Sequence, residues 1–217
     1  MASLQSEKQM AEKQSMLALQ PVFDSHIGVI GYELLFRLPG ANRNELNPTK
    51  ATAHILESII RDFDLNKFFR KHKTFINVTR AFIDVITEFE LPPEQLILDM
   101  PRSMPIDSKL ITKLEELRGM GYGLSVNGPS NLKKPELMSL ATIFQIDVQH
   151  TKVSALDSIQ KRLWQYENLT RRATKIETGE ELHIYLDRGF DYLQGYFLAK
   201  PCVYSGQILE NSENLIS

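Results

Sequence analysis

Cysteine is nearly absent from this chain. Cys202 is the only one in 217 residues, which excludes an intrachain disulfide and a cysteine-based zinc cluster. That fits a reducing compartment. No apolar run approaches the ~20 residues that a transmembrane helix requires, and the N-terminus has no basic-then-apolar leader pattern, so the expectation is a soluble, cytoplasmic protein with no membrane partner. Net charge is scarce as well: 25 basic against 27 acidic residues leave −2, and without a strongly basic domain or stripe no nucleic-acid partner is expected. No G-x-G-x-x-G or Walker A loop, internal repeat or Pro/Gly-rich linker is present.

Apolar residues, at 42%, are ample for a core, and charged residues make up 24%. Residues 1–15 form a polar tail, 16–204 one domain, and 205–217 a second tail in which a helix is expected around 205–211. Leu17–Phe23 and Ile27–Phe36 read as a hairpin joined at Asp24-Ser25-His26. Helices are expected over Thr49–Phe63 and around Leu65–Lys71. From there strands at Thr74–Val78, Gln95–Asp99, Tyr122–Val126, Ile143–Val148, Arg171–Ile176 and Tyr192–Leu198 alternate with helices at Ala81–Phe89, Asp107–Met120, Pro135–Ala141, Ser154–Glu167 and Gly179–Arg188. Strands that recur after helices form parallel β-α-β units. About eight strands, counting the hairpin, favour a closed, TIM-like (β/α)8 barrel over an open sheet.

Chemistry in such a barrel sits at the C-terminal strand ends. These carry Glu33, Arg37, Asn77, Asp99, Asn127, Asp147, Glu177 and Gln194. Two readings are open. The groups satisfy one another around the rim, since buried polar groups cost free energy unless paired, or they converge on a ligand or metal. Glu33 and Arg37 share a strand face and could pair, and Asn77 is placed to cap the following helix. The five histidines show no metal-ligand spacing and read as surface residues. The basic run Lys67–Lys73 reads as a solvated helix face, and Arg171-Arg172 is too short to weigh.

Five segments, in order, resemble the signatures of the EAL family of cyclic di-GMP phosphodiesterases. Tyr32–Arg37 (YELLFR) is similar to E-x-L-x-R, Phe75–Thr79 (FINVT) to I-N-L-S, and Leu98-Asp99 to the start of L-E-I-T-E. Ala173–Thr178 (ATKIET) is similar to A-E-G-V-E-T, and Asp191–Pro201 (DYLQGYFLAKP) to D-Y-x-Q-G-Y-x-x-x-K-P. The opening LALQPVFDSHIGVIGYELLFR most resembles the EAL halves of proteins that carry an HDOD domain behind the barrel. The resemblance implies an EAL-type barrel and, for active members, hydrolysis of cyclic di-GMP by two Mg²⁺ or Mn²⁺ ions. Two hard cations about 3.5–4 Å apart need carboxylate oxygens and an activated water.

By that resemblance Glu33 and Asn77 are retained, and Asp99 stands where a glutamate is usual. Asn127-Gly128 replaces an aspartate pair, Gln145 replaces a lysine beside the retained Asp147, and Thr174 replaces a glutamate while Glu177 remains. Arg102 falls where a second glutamate would anchor the next loop. Losing even one charge-stabilising group can cost ~10²–10³ in rate. The expectation is a catalytically inactive module, with no catalytic residues, metal or cofactor of its own, acting through an unidentified regulatory protein. Two alternatives stay open. One is a non-hydrolysing cyclic di-GMP receptor using Glu33, Leu35, Arg37, Asn77, Asp99, Glu177 and Gln194. The other is a phosphodiesterase with an altered Mg²⁺ or Mn²⁺ site. A homodimer is compatible with the family.

Overall fold

The computed structural model describes residues 16–37, 72–89, 91–166 and 168–205. The helices expected over 49–63 and 65–71, the tail before residue 16, the tail helix and most of the basic run lie outside the described residues.

Strands β1 (Met16–Asp24) and β2 (Val29–Arg37) pair as an antiparallel hairpin. Asp24 organises its turn: Oδ1 accepts from the amides of His26 and Gly28, both at 2.8 Å. There follow β3 (Lys73–Asn77), β4 (Leu96–Met100), β5 (Gly123–Asn127), β6 (Ile143–Asp147), β7 (Thr170–Thr174) and β8 (Tyr192–Leu193). From β2 to β8 each pairs in parallel with the next. Phe23 and Asp24 of β1 then pair with Leu193 and Tyr192 of β8, antiparallel, and close the ring. The (β/α)8 expectation holds, with one strand of the eight running against the rest.

Two strands differ from expectation. The strand expected over Tyr192–Leu198 is only two residues long, and β9 (Cys202–Ser205) lies where a tail was expected to begin. One explains the other. A short β8 leaves the first half of β1 without a partner on that side, and β9 covers it, Met16 opposite Ser205 and Leu19 opposite Cys202. An uncovered stretch of edge would present unpaired backbone groups.

The connecting helices are α1 (Arg80–Val85), α2 (Ser108–Gly119), α3 (Pro135–Leu140), α4 (Leu156–Leu163) and α5 (Gly179–Asp187). Their starts follow local chemistry. Asp107 accepts from the Leu110 amide at 2.7 Å, Pro135 occupies the first turn of α3, and Thr178 with Glu181 forms a reciprocal capping box for α5. Asn77 does not cap α1. That helix starts at Arg80, so Thr79 is the residue in place, accepting from the Phe82 amide. Leu110, Leu114 and Leu117 of α2 are buried against the outward side of the sheet with Leu98, Leu124 and Phe144. Each such side chain contributes roughly 1.5–3 kcal/mol on burial.

The inside of the barrel is layered. Val22, Phe75, Ile97 and Ile143, with Ile30 and Tyr192 against them, fill the end where the parallel strands begin. Two residues further along three of these strands, on the same side by the period of a strand, stand Asn77, Asp99 and Gln145. The interior turns from apolar to polar as it nears the mouth.

Candidate functional site

The polar layer is organised by a residue that carried no weight in the sequence. Arg172, in the middle of β7, is 0% exposed, and its guanidinium lies inside the barrel. Nη1 donates to Asp99 Oδ2 at 2.8 Å and to Gln145 Oε1 at 3.1 Å. Nη2 donates to Gln194 Oε1 at 2.6 Å, and lies 3.2 Å from Glu33 Oε2. Its carbon sits 4.1 Å from the centre of the Phe75 ring, so the cation rests on the top of the apolar layer. Arg171 points the other way, out to Asp191, whose Oδ2 accepts from its backbone amide at 2.7 Å and lies 3.3 Å from Nε.

The structure gathers four of the seven expected ligand residues. Glu33 contacts Arg172, accepts from Gln194 Nε2 at 2.8 Å through Oε2 and from Asn77 Nδ2 at 2.6 Å through Oε1. Asp99 and Gln194 are buried, and Asn77 is exposed at the mouth. Leu35 follows Glu33 by two residues on β2 and is half-buried. Glu177 stands apart, exposed, its amide donating to Glu181 Oε2 at 2.7 Å. The Arg37 side chain lies outside the described residues. The ion pair considered for Glu33 and Arg37 therefore lies outside the described residues, while Arg172 reaches Glu33 across the barrel.

Asp147, another retained carboxylate, also has a cation. Its Oδ2 lies 2.7 Å from Lys175 Nζ and 2.9 Å from His150 Nδ1. Lys175 follows β7 directly and holds a left-handed backbone at φ 63°, a region that a side chain with a Cβ enters at a cost. So one segment, Arg172 to Lys175, supplies counter-ions to Glu33, Asp99 and Asp147. Of the histidines, His26, His150 and His183 are exposed. His72 is half-buried edge-on to Tyr32 with ring centres 5.4 Å apart, and His54 lies outside the described residues.

Burial drives the Asp99 carboxyl above the ordinary 3.8, opposed by the charge of Arg172 and assisted by that of Glu33. Burial alone would raise Asp147 too, but the hydrogen bonds and charges of Lys175 and His150 outweigh it and hold the group below 3.8.

These residues do not fit a dinuclear cation centre. Glu33 and Asp99 are engaged by an internal guanidinium and Asp147 by an ammonium. Where the aspartate pair would stand, Asn127 carries no charge and Gly128 no side chain. Gly128 has φ 86°, and a Cβ there would meet Arg102 Cδ at 3.1 Å, so a basic side chain packs over the place of the missing acid. Among the described residues no three His, Cys, Asp or Glu side chains converge as a cation site.

A closed eight-stranded barrel with a reversed first strand and a polar mouth has the fold of the EAL domains. The chain superimposes on the Bacillus subtilis YkuI protein, a structure with an EAL domain in complex with cyclic di-GMP and calcium, with a TM-score of 0.69 at 18% identity, over 90% of this chain and 57% of that one. In sequence it is 29% identical over 203 residues to the uncharacterized protein YuxH of Bacillus subtilis, covering 89% of this chain and 49% of that protein. It is 25% identical over 189 residues to the cyclic di-GMP phosphodiesterase CdgJ of Vibrio cholerae, covering 85% and 44%. The chain thus spans about half the length of the curated relatives it matches. No protein-family profile matches the sequence. Among the described residues no helix is long and apolar enough to cross a membrane.

Proposed function

We propose that this chain is a non-catalytic EAL-type barrel that acts in cyclic di-GMP-related regulation by contacting another protein. The observation that carries the first half is the guanidinium of Arg172 on Glu33 and Asp99. A dinuclear centre requires anionic oxygens that are free to bind metal. Here the two carboxylates are committed to an organic cation, buried where a displaced arginine would have no other partner for its charge. Cyclic di-GMP enters this reading through the relatives: CdgJ is a cyclic di-GMP phosphodiesterase and YkuI binds the dinucleotide.

The second half is supported by what the outside displays. Trp164, at the end of α4, is 76% exposed beside a cleft of about 430 Å³ that Tyr166, Arg171 and Asp191 also line. An exposed tryptophan next to a charged pair is the composition of a protein-binding hot spot rather than of a solvated helix end. Tyr196 and Phe197, 60% and 50% exposed, follow β8 at the mouth, and they favour a second reading, in which the mouth holds cyclic di-GMP by stacking without cleaving it.

One titration tests both. The purified chain is mixed with cyclic di-GMP, with and without Mg²⁺ or Mn²⁺, and followed by calorimetry and by product formation. The expected result is no heat and no product above a buffer control. Saturable binding without turnover replaces the interaction reading with the receptor, and metal-dependent product formation abolished by Glu33→Ala sinks the non-catalytic reading altogether.

A further inference from the structure

Arg171 and Arg172 are neighbours on β7 and face opposite ways, and the outward one keeps donors in reserve. Arg171 gives its backbone amide and Nε to a single oxygen, Asp191 Oδ2, at 2.7 and 3.3 Å. Among the described residues nothing accepts from its Nη1 or Nη2. Gly189, with φ 68°, puts no side chain beside them; a Cβ there would stand 3.6 Å from Nη2 and 3.7 Å from Nη1. Arg171 lines the cleft of about 430 Å³ together with Trp164 and Tyr166. That cleft lies where β7 and β8 begin, at the end of the barrel away from the mouth. The tip of the β1–β2 hairpin shares this end, because Asp24 pairs with Tyr192, the residue after Asp191. Ile27 and Val29 at the tip are exposed. Ile27 also holds φ 62°, a region that a β-branched side chain rarely enters. Exposed apolar side chains thus flank a cation whose outer edge is unused.

We propose that this end of the barrel docks a partner protein through a segment in which an acidic residue stands beside apolar ones. The carboxylate takes the two terminal nitrogens of Arg171, and its apolar neighbours cover Trp164 and the hairpin tip. Charge selects the sign of the partner. Asp191 meets Arg171 at Nε and the backbone amide, so an incoming group meets the forked edge that Asp191 leaves open. A lysine or arginine would be repelled there, whereas a carboxylate matches the fork with two parallel hydrogen bonds. Those bonds gain strength once water is excluded, and a segment laid over Trp164 and Tyr166 excludes it. Tryptophan and arginine side by side are the residues that dominate protein interfaces. The site is separate from the polar layer, since Arg172 and its partners face the interior.

This inference rests on the reading that the chain contacts another protein, and names the site of that contact. The probe is a random-peptide phage library selected on the purified chain, with the enriched peptides then synthesised and titrated. Trp164 is the only tryptophan, so the single indole N–H signal in nitrogen-15 NMR reports on the cleft alone. Enriched peptides are expected to carry Asp or Glu next to an apolar residue and to shift that signal saturably. Replacing their acid by its amide is expected to weaken binding about tenfold or more, and Arg171→Gln to remove the preference for the acid. Trp164→Ala, at an exposed position and followed by backbone amide signals, is expected to weaken binding by about tenfold as well. Both variants alter exposed side chains, and thermal unfolding checks that each is folded. Selection of basic peptides, of none, or of acidic peptides that bind Arg171→Gln equally overturns the proposal. Peptides that bind while the indole signal stays put also overturn it, yet leave the protein-contact reading standing. Metal-dependent cleavage of cyclic di-GMP would sink the non-catalytic reading without touching this site.

Discussion

Arg172 and Asp99 are 73 residues apart in the chain and 2.8 Å apart inside the barrel. Removing one member of a buried ion pair is more damaging than never having had the pair, because the partner keeps its charge and loses its compensation. Among the described residues, Arg172→Ala leaves two carboxylates, Glu33 and Asp99, without a cation. The expected loss is ~3–5 kcal/mol of unfolding free energy, read from urea denaturation of the variant against the unaltered chain in metal-free buffer. A loss below about 1 kcal/mol, the size of an exposed pair, would mean that the guanidinium is not the organiser of this layer.

The same pair fixes a sign for pH. Burial raises Asp99 above its ordinary 3.8, so the folded state holds this proton more tightly than the unfolded chain does. The resulting stability is complete below 3.8 and is lost as pH rises through the folded-state value. Asp99→Asn has no such proton. The difference in unfolding free energy between the two proteins is therefore expected to move toward the variant as pH climbs from 3.8 through that window, then to level off. A difference that moves the other way would show Asp99 to be ionised by preference.

How far the sequence reached depended on whether a signal was local. The hairpin, the alternation of strands and helices, and the stop after α2 at Gly121, with φ 107°, follow from periodicity and capping within a few residues. The helix expected from Ser154 starts at Leu156 because a 3₁₀ turn over Val153–Ala155 precedes it. β9 was illegible because its partner β1 lies nearly the whole chain away. Arg172 was overlooked as one half of a two-residue basic pair. The period of a strand could have separated them, since neighbours on β7 must face opposite sides, and with Ala173 outward in the core Arg172 had to face the acids inside. Glu33, Asn77, Asp99 and Gln194 were legible as strand-end polar residues, but their mutual contacts were not.

Gly195 connects this layer to the mouth and has no room to change. A Cβ built there would lie 2.0 Å from the Ile176 carbonyl oxygen and 2.3 Å from its nitrogen. Those atoms are already used, the nitrogen donating to the Gln194 carbonyl at 3.1 Å and the oxygen accepting from Phe197 at 3.1 Å. Neither can retreat without breaking a backbone hydrogen bond. Gly195→Ala is expected to cost at least ~3 kcal/mol, at the upper end of overpacking, as a lower urea midpoint. Wild-type stability would show that the loop after β8 can shift freely.

Lys175 offers the opposite case, a residue whose backbone and side chain pull in different directions. Its left-handed φ of 63° costs about 1–2 kcal/mol for a residue with a Cβ. Its ammonium, on a side chain 58% exposed, returns no more than about 1 kcal/mol through Asp147. In Lys175→Gly the strain and the ion pair both go, and the added chain entropy of glycine offsets ~0.5–1 kcal/mol of the relief. Stability near neutral pH is therefore expected to stay within about 1 kcal/mol of the unaltered chain, or roughly 2–4 °C in unfolding midpoint. The Asp147 carboxyl should respond strongly, because Lys175 is among the groups holding it below 3.8 against burial. A lowered carboxyl contributes stability above 3.8 that is lost as pH falls through the folded value, so raising it shrinks that contribution. Carbon-detected NMR titration should show Asp147 protonating at higher pH in the glycine variant, with the midpoint of thermal unfolding almost unmoved. An unshifted Asp147 would assign its low pKa to His150 alone.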